Sequence, residues 1–247
     1  MLYDRIGAGY TTTRRADPRI AARIHAALGD ARTVVNVGAG TGNYEPTDRD
    51  VTAVEPSETM IAQRPPGAAP VVRASAEALP FADHSFDAAM AVLSDHHWRD
   101  RPAGLRELRR VARRVVVFTF DPAYVDALWL VPGYLPGFRS LPGMTLGEIA
   151  ACLGGVDVEP VPVPHDCADG FMGAWWRRPD AYLDPRVRAS ISVFARLSPG
   201  EVEDCVARLG EDLASGAWRA RHGDLLALDE LDLGYRLLVA PRSSSAA

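Results

Sequence analysis

Lysine is absent from this sequence: all 27 basic side chains among its 247 residues are arginine. That absence excludes Schiff-base chemistry on a side-chain amine, attachment of pyridoxal phosphate, and the lysine of a phosphate-binding P-loop. Positive charge is also the minority sign. Against 32 acidic residues the net charge is −5, which excludes the strongly basic profile of a general nucleic-acid binder. Cysteine is scarce: Cys152, Cys167 and Cys205 are odd in number and lack paired spacing. Neither a zinc site nor a disulfide framework is expected from them, and a reducing cytoplasm fits. Long apolar runs are missing too. None follows Met1, and "YVDALWLVPGYLPGF" is broken by Asp126, Pro132 and Pro136, so neither a signal peptide nor a membrane span is expected. What is present, 47% hydrophobic and 24% charged residues, is ordinary for a globular chain long enough to bury a full core.

The order of elements follows from local signals. Asp17 as a cap and Pro18 at the first helical position open a helix whose Ile20, Ile24 and Leu28 share a face and which Gly29 ends. "TVVNV" follows as a continuous apolar strand, the mark of a parallel sheet covered on both faces. Further strands are expected at 51–55, 70–74, 86–93 and 115–120, with a helix from Ser57 to Gln63 and another opened by Asp100 and Pro102. Thr145 and Glu148 form a capping box before Leu146, Ile149 and Leu153. "VDVEPVPVP" reads as a sixth strand and "GYRLLVAP" as a final one, with helices begun by Asp184–Pro185 and by Ser198–Pro199 in between. Strands alternating with helices at this spacing imply right-handed crossovers and a doubly wound α/β sheet. The segments 121–145 and 167–230 interrupt that rhythm. Leaving near the carboxyl ends of strands, where such sheets bind ligands, they read as a lid.

One turn carries the chemistry. "VVNVGAGTGNYEP", residues 34–46, runs a strand into Gly38, Gly40 and Gly42, where the backbone can approach a ligand without a β-carbon between. A dinucleotide fingerprint places its third glycine where Asn43 stands. Glu55 closes the second strand, and a carboxylate there accepts hydrogen bonds from both ribose hydroxyls of an adenosine while disfavouring a phosphate. The pair points to an unphosphorylated adenosine that needs no pyrophosphate cradle. A nicotinamide-dependent reductase is disfavoured by Asn43 and by the absence of a Tyr-x-x-x-Lys pair.

With "VVNVGAGTG", "VEPS", "ASAEALPFADHSFDAAMAVLSDHHW" and "GLRELRRVARR" in that order, the chain resembles the class I S-adenosylmethionine-dependent methyltransferases, nearest the ubiquinone/menaquinone-type (type 11) branch. The resemblance covers about residues 1–120; the remainder matches in architecture alone. It implies a Rossmann-like, doubly wound sheet of seven strands, mostly parallel with an antiparallel last strand. It also implies one domain over 1–247: an N-terminal lid and helix at 1–30, a cofactor-binding core at 31–120, the two cap insertions, and a disordered tail at 241–247. The implied cofactor is S-adenosylmethionine, leaving as S-adenosylhomocysteine, with no metal. By the resemblance, Ser75, Ala76 and Glu77 contact adenine, and Glu55 holds the ribose. The backbone of Gly38, Ala39 and Gly40 lies against the methionine portion, which Leu93 faces. "YDRIGAGYTTTRRADP" is similar to the family's leading lid. Its Tyr10 and Arg14 point the same way if helical, and Arg14 is either a clamp on the cofactor carboxylate or a solvated surface arginine. The chain departs from the pattern at Asn36 and Ser75, where acids are common.

Methyl transfer from a sulfonium is an in-line displacement that a dry, aligned site favours. "FMGAWW", Trp129, Tyr134, Phe138 and Tyr182 would cap such a site and suggest an apolar or aromatic small-molecule acceptor of specialised metabolism, although each singly is ordinary core material. His97, in "SDHHW" beyond the fourth strand, is either a proton acceptor or substrate orienter or a structural hydrogen-bond partner of the lid. His165, in "PHDCADGF", is a second catalytic candidate or, with Asp166 and Asp169, a loop anchor. Asp95, His97 and His165 contain the residue types of a two-histidine, one-carboxylate metal set, but no metal is expected. Arg106, Arg109, Arg110 and Arg113 spread around a helix as a solvated face. Neither nucleic acid nor membrane is an expected partner, and the oligomeric state is left open. The alternative reading keeps fold and cofactor but replaces methyl transfer by ring closure, isomerisation or cyclopropane formation.

Overall fold

The computed structural model describes residues 9–241; the first part of the expected leading lid and the tail from 242 onward lie outside the described residues. In chain order the helices and strands are α1 (Pro18–Ala27), β1 (Thr33–Val37), β2 (Asp50–Val54), α2 (Glu58–Ile61), β3 (Val71–Val72), β4 (Phe86–Val92), α3 (Arg101–Val111), β5 (Ala112–Phe120), α4 (Leu130–Tyr134), α5 (Leu146–Leu153), β6 (Asp157–Pro160), β7 (Val163–Pro164), α6 (Pro185–Ala189), α7 (Pro199–Ser215), α8 (Ala217–His222), β8 (Glu230–Leu231) and β9 (Tyr235–Ala240). Short 3₁₀ turns join many of them.

Seven strands form one sheet in the order β3-β2-β1-β4-β5-β9-β6. The first five run parallel, and β9 inserts antiparallel between β5 and β6. Strand order reverses between β1 and β4, the position at which an open α/β sheet leaves a crevice beyond its strand ends. Apolar residues face both ways along each central strand because both faces are covered. Val34, Val116 and Phe118 pack with α1 and the 121–145 and 167–230 insertions, while Val35, Val37, Val115 and Val117 pack with α3 and α5 through Leu105, Leu108, Ile149 and Leu153.

The caps form as their chemistry dictates. Asp17 accepts from Arg19 N, Asp100 from Ala103 N and Asp184 from Arg186 N, and each precedes a proline in the first helical turn. Both capping boxes, Thr145–Glu148 and Ser198–Glu201, are complete. Three elements differ from expectation. The third strand contracts to two residues, and the helix after Ser57 to one turn. "VDVEPVPVP" is not one strand: it breaks after Pro160, and Val163–Pro164 leaves the main sheet to pair with β8 in a separate ribbon. Proline donates no N–H to a ladder, so three of them in five residues end the pairing. Among the described residues, no helix is long and apolar enough to cross a membrane.

The two interruptions of the rhythm pack on each other. Trp129 donates its indole N–H to the carbonyl of Trp176 at 2.7 Å, and Trp176 donates to that of Val163 at 3.0 Å. Tyr182 reaches the Met172 carbonyl at 2.7 Å. Together they stand over the carboxyl ends of β4 and β5 and the start of β9.

Candidate active site

Two cavities adjoin at the strand ends. The larger, of about 500 Å³, is lined by all ten residues the sequence assigns to the cofactor: Tyr10, Arg14, Gly38, Ala39, Gly40, Glu55, Ser75, Ala76, Glu77 and Leu93. They arrive from the ends of β1, β2 and β4, from the loop after β3, and from the N-terminal segment. The smaller, of about 180 Å³, lies further along, at the ends of β4 and β5 and under the cap. Arg14, Leu93 and His97 line both.

The glycine turn is held by a carboxylate. Gly38 and Gly40 have φ of +70° and +54°, conformations that L side chains resist. A β-carbon on Gly38 would lie 2.6 Å from Ser94 Cβ, so β1 and β4 could not approach as they do. Glu55 is buried, and its two oxygens accept from Gly40 N at 2.8 Å and Ser57 N at 2.9 Å. Behind the turn, Arg64 pairs with Glu45 at 2.8 Å and donates to the Gly40 carbonyl at 3.3 Å. Asn36 donates to the same Glu45 at 3.2 Å; an acid at position 36 would face this carboxylate without a proton to offer.

The loop carrying Ser75, Ala76 and Glu77 is braced from α3, part of whose arginine-rich surface has this second duty. Glu107 accepts from Leu79 N at 2.8 Å, and Arg110 donates to the carbonyls of Leu79 and Phe81 at 3.0 and 2.7 Å. Glu77 itself accepts from Asp100 N at 3.1 Å. Burial would raise its pKa, but the hydrogen bonds from Asp100 and its neighbours prevail and lower it.

At the end of β4, Leu93 has φ of +49°. Positive φ costs a branched-chain side chain about 1–3 kcal/mol, and the strain falls where both cavities meet. Nothing in the sequence signals it. Its N–H bonds Phe118 O at 2.8 Å, which anchors the kink to β5. The chain then forms a 3₁₀ turn at Asp95–His97. Asp95 is fully buried and bound to Arg101, with Thr119 Oγ1 3.3 Å away. Burial alone would raise the Asp95 pKa, yet His96 and Arg101 hold it low. His97 sits between the cavities. Desolvation first, and then electrostatic interaction with His96, Arg196, Arg14 and Arg101, push its pKa well below 6.5, which favours the neutral imidazole, a hydrogen-bond acceptor through its bare nitrogen, and disfavours its protonation.

Arg14 is neither solvated nor a simple clamp. Its guanidinium pairs with the buried Asp169 at 2.6 and 3.3 Å and stands over the Tyr10 ring. Tyr44 donates to Asp169 at 2.9 Å, and Asp17 accepts from Ala168 N at 2.9 Å. The 166–170 loop thus ties the N-terminal segment to the roof, with Arg19–Asp166 adding an exposed pair. Arg14 also forms part of the wall of both cavities.

His165 lines neither cavity. Its Nδ1 lies 3.1 Å from the Asp229 carbonyl, and its N–H bonds the same carbonyl at 2.8 Å, which makes it an anchor of the β7–β8 ribbon rather than a catalytic group. Among the described residues, no group of three or more His, Cys, Asp and Glu could hold a metal ion, so Asp95, His97 and His165 do not form a set. The cap aromatics divide. Phe138, Phe171 and Met172 line the smaller cavity, whereas Trp129, Tyr134, Trp176 and Tyr182 are buried behind it as core. Residues the sequence reading did not single out also line that cavity: Arg101, Thr119, Phe120, Arg139, Ile191, Arg196 and Tyr235.

The family model described as a methyltransferase domain matches residues 35–120. A solved structure from Anabaena variabilis, a candidate methyltransferase of an antibiotic biosynthesis pathway, is 32% identical. It aligns over 92% of this chain and 98% of its own with a TM-score of 0.85. The chain belongs to the class I S-adenosylmethionine-dependent methyltransferase family, in its type 11 branch. The malonyl-[acyl-carrier protein] O-methyltransferase of Erwinia pyrifoliae is 35% identical over 148 residues, 53% of this chain and 56% of that protein. A second curated relative, an uncharacterized Escherichia coli protein, is matched over 29% of its length. The [4+2]-cyclase SpnF shares the fold, at TM-score 0.55 and 15% identity.

Proposed function

We propose that this protein binds S-adenosylmethionine in the larger cavity and methylates a small, apolar or aromatic molecule held in the smaller one, as a step of biosynthesis. The observation that carries the reading is the joining of the two cavities at Leu93 and His97, with a buried carboxylate and an open glycine turn on one side and apolar walls on the other. The residues fit the cofactor. The left-handed glycines keep side chains out of the turn, Glu55 offers a ribose acceptor, and about 500 Å³ lies within the usual range of about 300–1,000 Å³ for small-molecule sites. When bound, the cofactor supplies an electrophilic methyl group on a sulfonium.

The chain's own residues do the rest. Glu55 and the Gly38–Gly40 backbone fix the donor, and Ser75–Glu77 bound its adenine end. Phe120, Phe138, Phe171 and Tyr235 exclude water from the acceptor, which favours a reaction in which charge disappears. His97, neutral and at the junction, accepts a hydrogen bond from an acceptor O–H or N–H and so aims the reacting atom at the donor. Holding donor and acceptor in line supplies several kcal/mol, by the usual size of proximity effects. The pathway setting of the Anabaena variabilis relative supports a biosynthetic role.

The test is incubation with labelled-methyl cofactor and a panel of biosynthetic intermediates. Label in a product of raised mass supports methyl transfer. Product formed without label would replace this reading by the non-methylating one.

A further inference from the structure

The charges on the walls of the smaller cavity do not balance. Four arginines line it, Arg14, Arg101, Arg139 and Arg196, and no aspartate or glutamate does. Three are neutralised from outside the wall: Arg14 by Asp169 at 2.6 Å, Arg101 by Asp95 at 2.8 Å, and Arg139 by Asp126 at 2.8 Å. Among the described residues no carboxylate pairs with Arg196, which closes the 3₁₀ turn Phe194–Arg196 and is itself partly buried. Phe138, Leu141, Ile191 and Val193 line the same cavity. A guanidinium in apolar walls is costly without a counter-charge, and its planar fork matches a carboxylate bidentately.

Resting on the acceptor-site reading above, we propose that the acceptor is a small apolar molecule bearing an anionic group of the carboxylate type, and that Arg196 is the residue that binds that group. The anion is a handle. It fixes which atom of the acceptor faces Leu93 and His97, and it selects acids over neutral molecules of the same shape. A cavity of about 150 Å³ takes up benzene, so about 180 Å³ suits one ring or a chain of like bulk beside the anion. The single cation of the handle also explains why the wall tolerates Arg196 unmatched: its partner comes with the substrate.

The experiment uses the full chain saturated with S-adenosylhomocysteine, titrated calorimetrically with 3-phenylpropanoate and with 3-phenylpropan-1-ol, which share a body and differ in charge. The acid is expected to bind at least about tenfold tighter, the scale of a charge-assisted hydrogen bond. In Arg196→Gln that preference should vanish while the alcohol binds as before. Arg196→Lys should restore part of it, and Arg139→Gln should leave most of it. Equal affinity for acid and alcohol in the unaltered protein, no binding of either, or a preference that survives Arg196→Gln would each overturn the proposal. Titration of S-adenosylhomocysteine into the same samples reads the cofactor site separately. Its failure there with acid preference intact would sink the methyl-transfer reading and leave the anion site standing.

Discussion

The larger and the smaller cavity share Arg14, Leu93 and His97 but are assembled over different distances along the chain. Glu55 holds Gly40, fifteen residues before it, and Asn36 reaches Glu45, nine after it. Around the smaller cavity and its cap, Arg14 finds Asp169 across 155 residues and Trp129 finds Trp176 across 47. Groups close in sequence leave a readable spacing, whereas groups brought together by the fold do not. The cofactor half is a set of local turns on a sheet; the cap half is a set of long-range contacts that hold only when everything else is in place.

That contrast can be broken at its most distant contact. Asp169→Ala would leave Arg14 buried without its partner and Tyr44 without its acceptor, at a cost of about 3–5 kcal/mol, read by chemical denaturation. A loss under about 1 kcal/mol would show that the N-terminal segment is not tied through this carboxylate. At the shared wall, His97→Gln should lower turnover by about 10²-fold, the scale of a misplaced reactant, with affinity for S-adenosylhomocysteine unchanged; a matched fall in both would make His97 a structural residue. Within the local half, Glu55→Ala should weaken S-adenosylhomocysteine binding by about 1–3 kcal/mol, the scale of losing a buried hydrogen-bonding partner. Unchanged affinity would mean that the ribose lies elsewhere.

The smallest effect separates the halves by pH. His97 is held neutral by burial and nearby cations, with its folded pKa well below 6.5. Below about pH 6.5 the unfolded chain therefore binds a proton at this position that the folded chain does not. Stability falls as pH drops from there toward the folded value, and is unaffected above it. His97→Gln should flatten that part of the stability profile and leave neutral pH alone; an unaltered acid limb would place the penalty on other groups.

The sheet, and the gathering of the expected residues around the larger cavity, were legible in the sequence, because capping boxes, Asp-Pro starts and a glycine turn are short-range devices. It carried less of the cap. Proline spacing showed where "VDVEPVPVP" breaks only once the partner strands were known, since a ladder depends on both sides. Trp129 and Tyr182 carry the same apolar signal whether they line a ligand site or fill a core. His165 looked chemical beside Asp166 and Asp169, yet of the three it is Asp169 that reaches the site's edge, by holding Arg14. The left-handed Leu93 and the unmatched Arg196 have no local signature at all.

Calorimetric titration of the full chain with S-adenosylhomocysteine and, separately, with NAD decides whether the glycine turn held by Glu55 receives S-adenosylmethionine. S-adenosylhomocysteine should bind, NAD should not, and Glu55→Ala should weaken binding of the former. Binding of NAD alone, or of neither compound, would overturn that assignment.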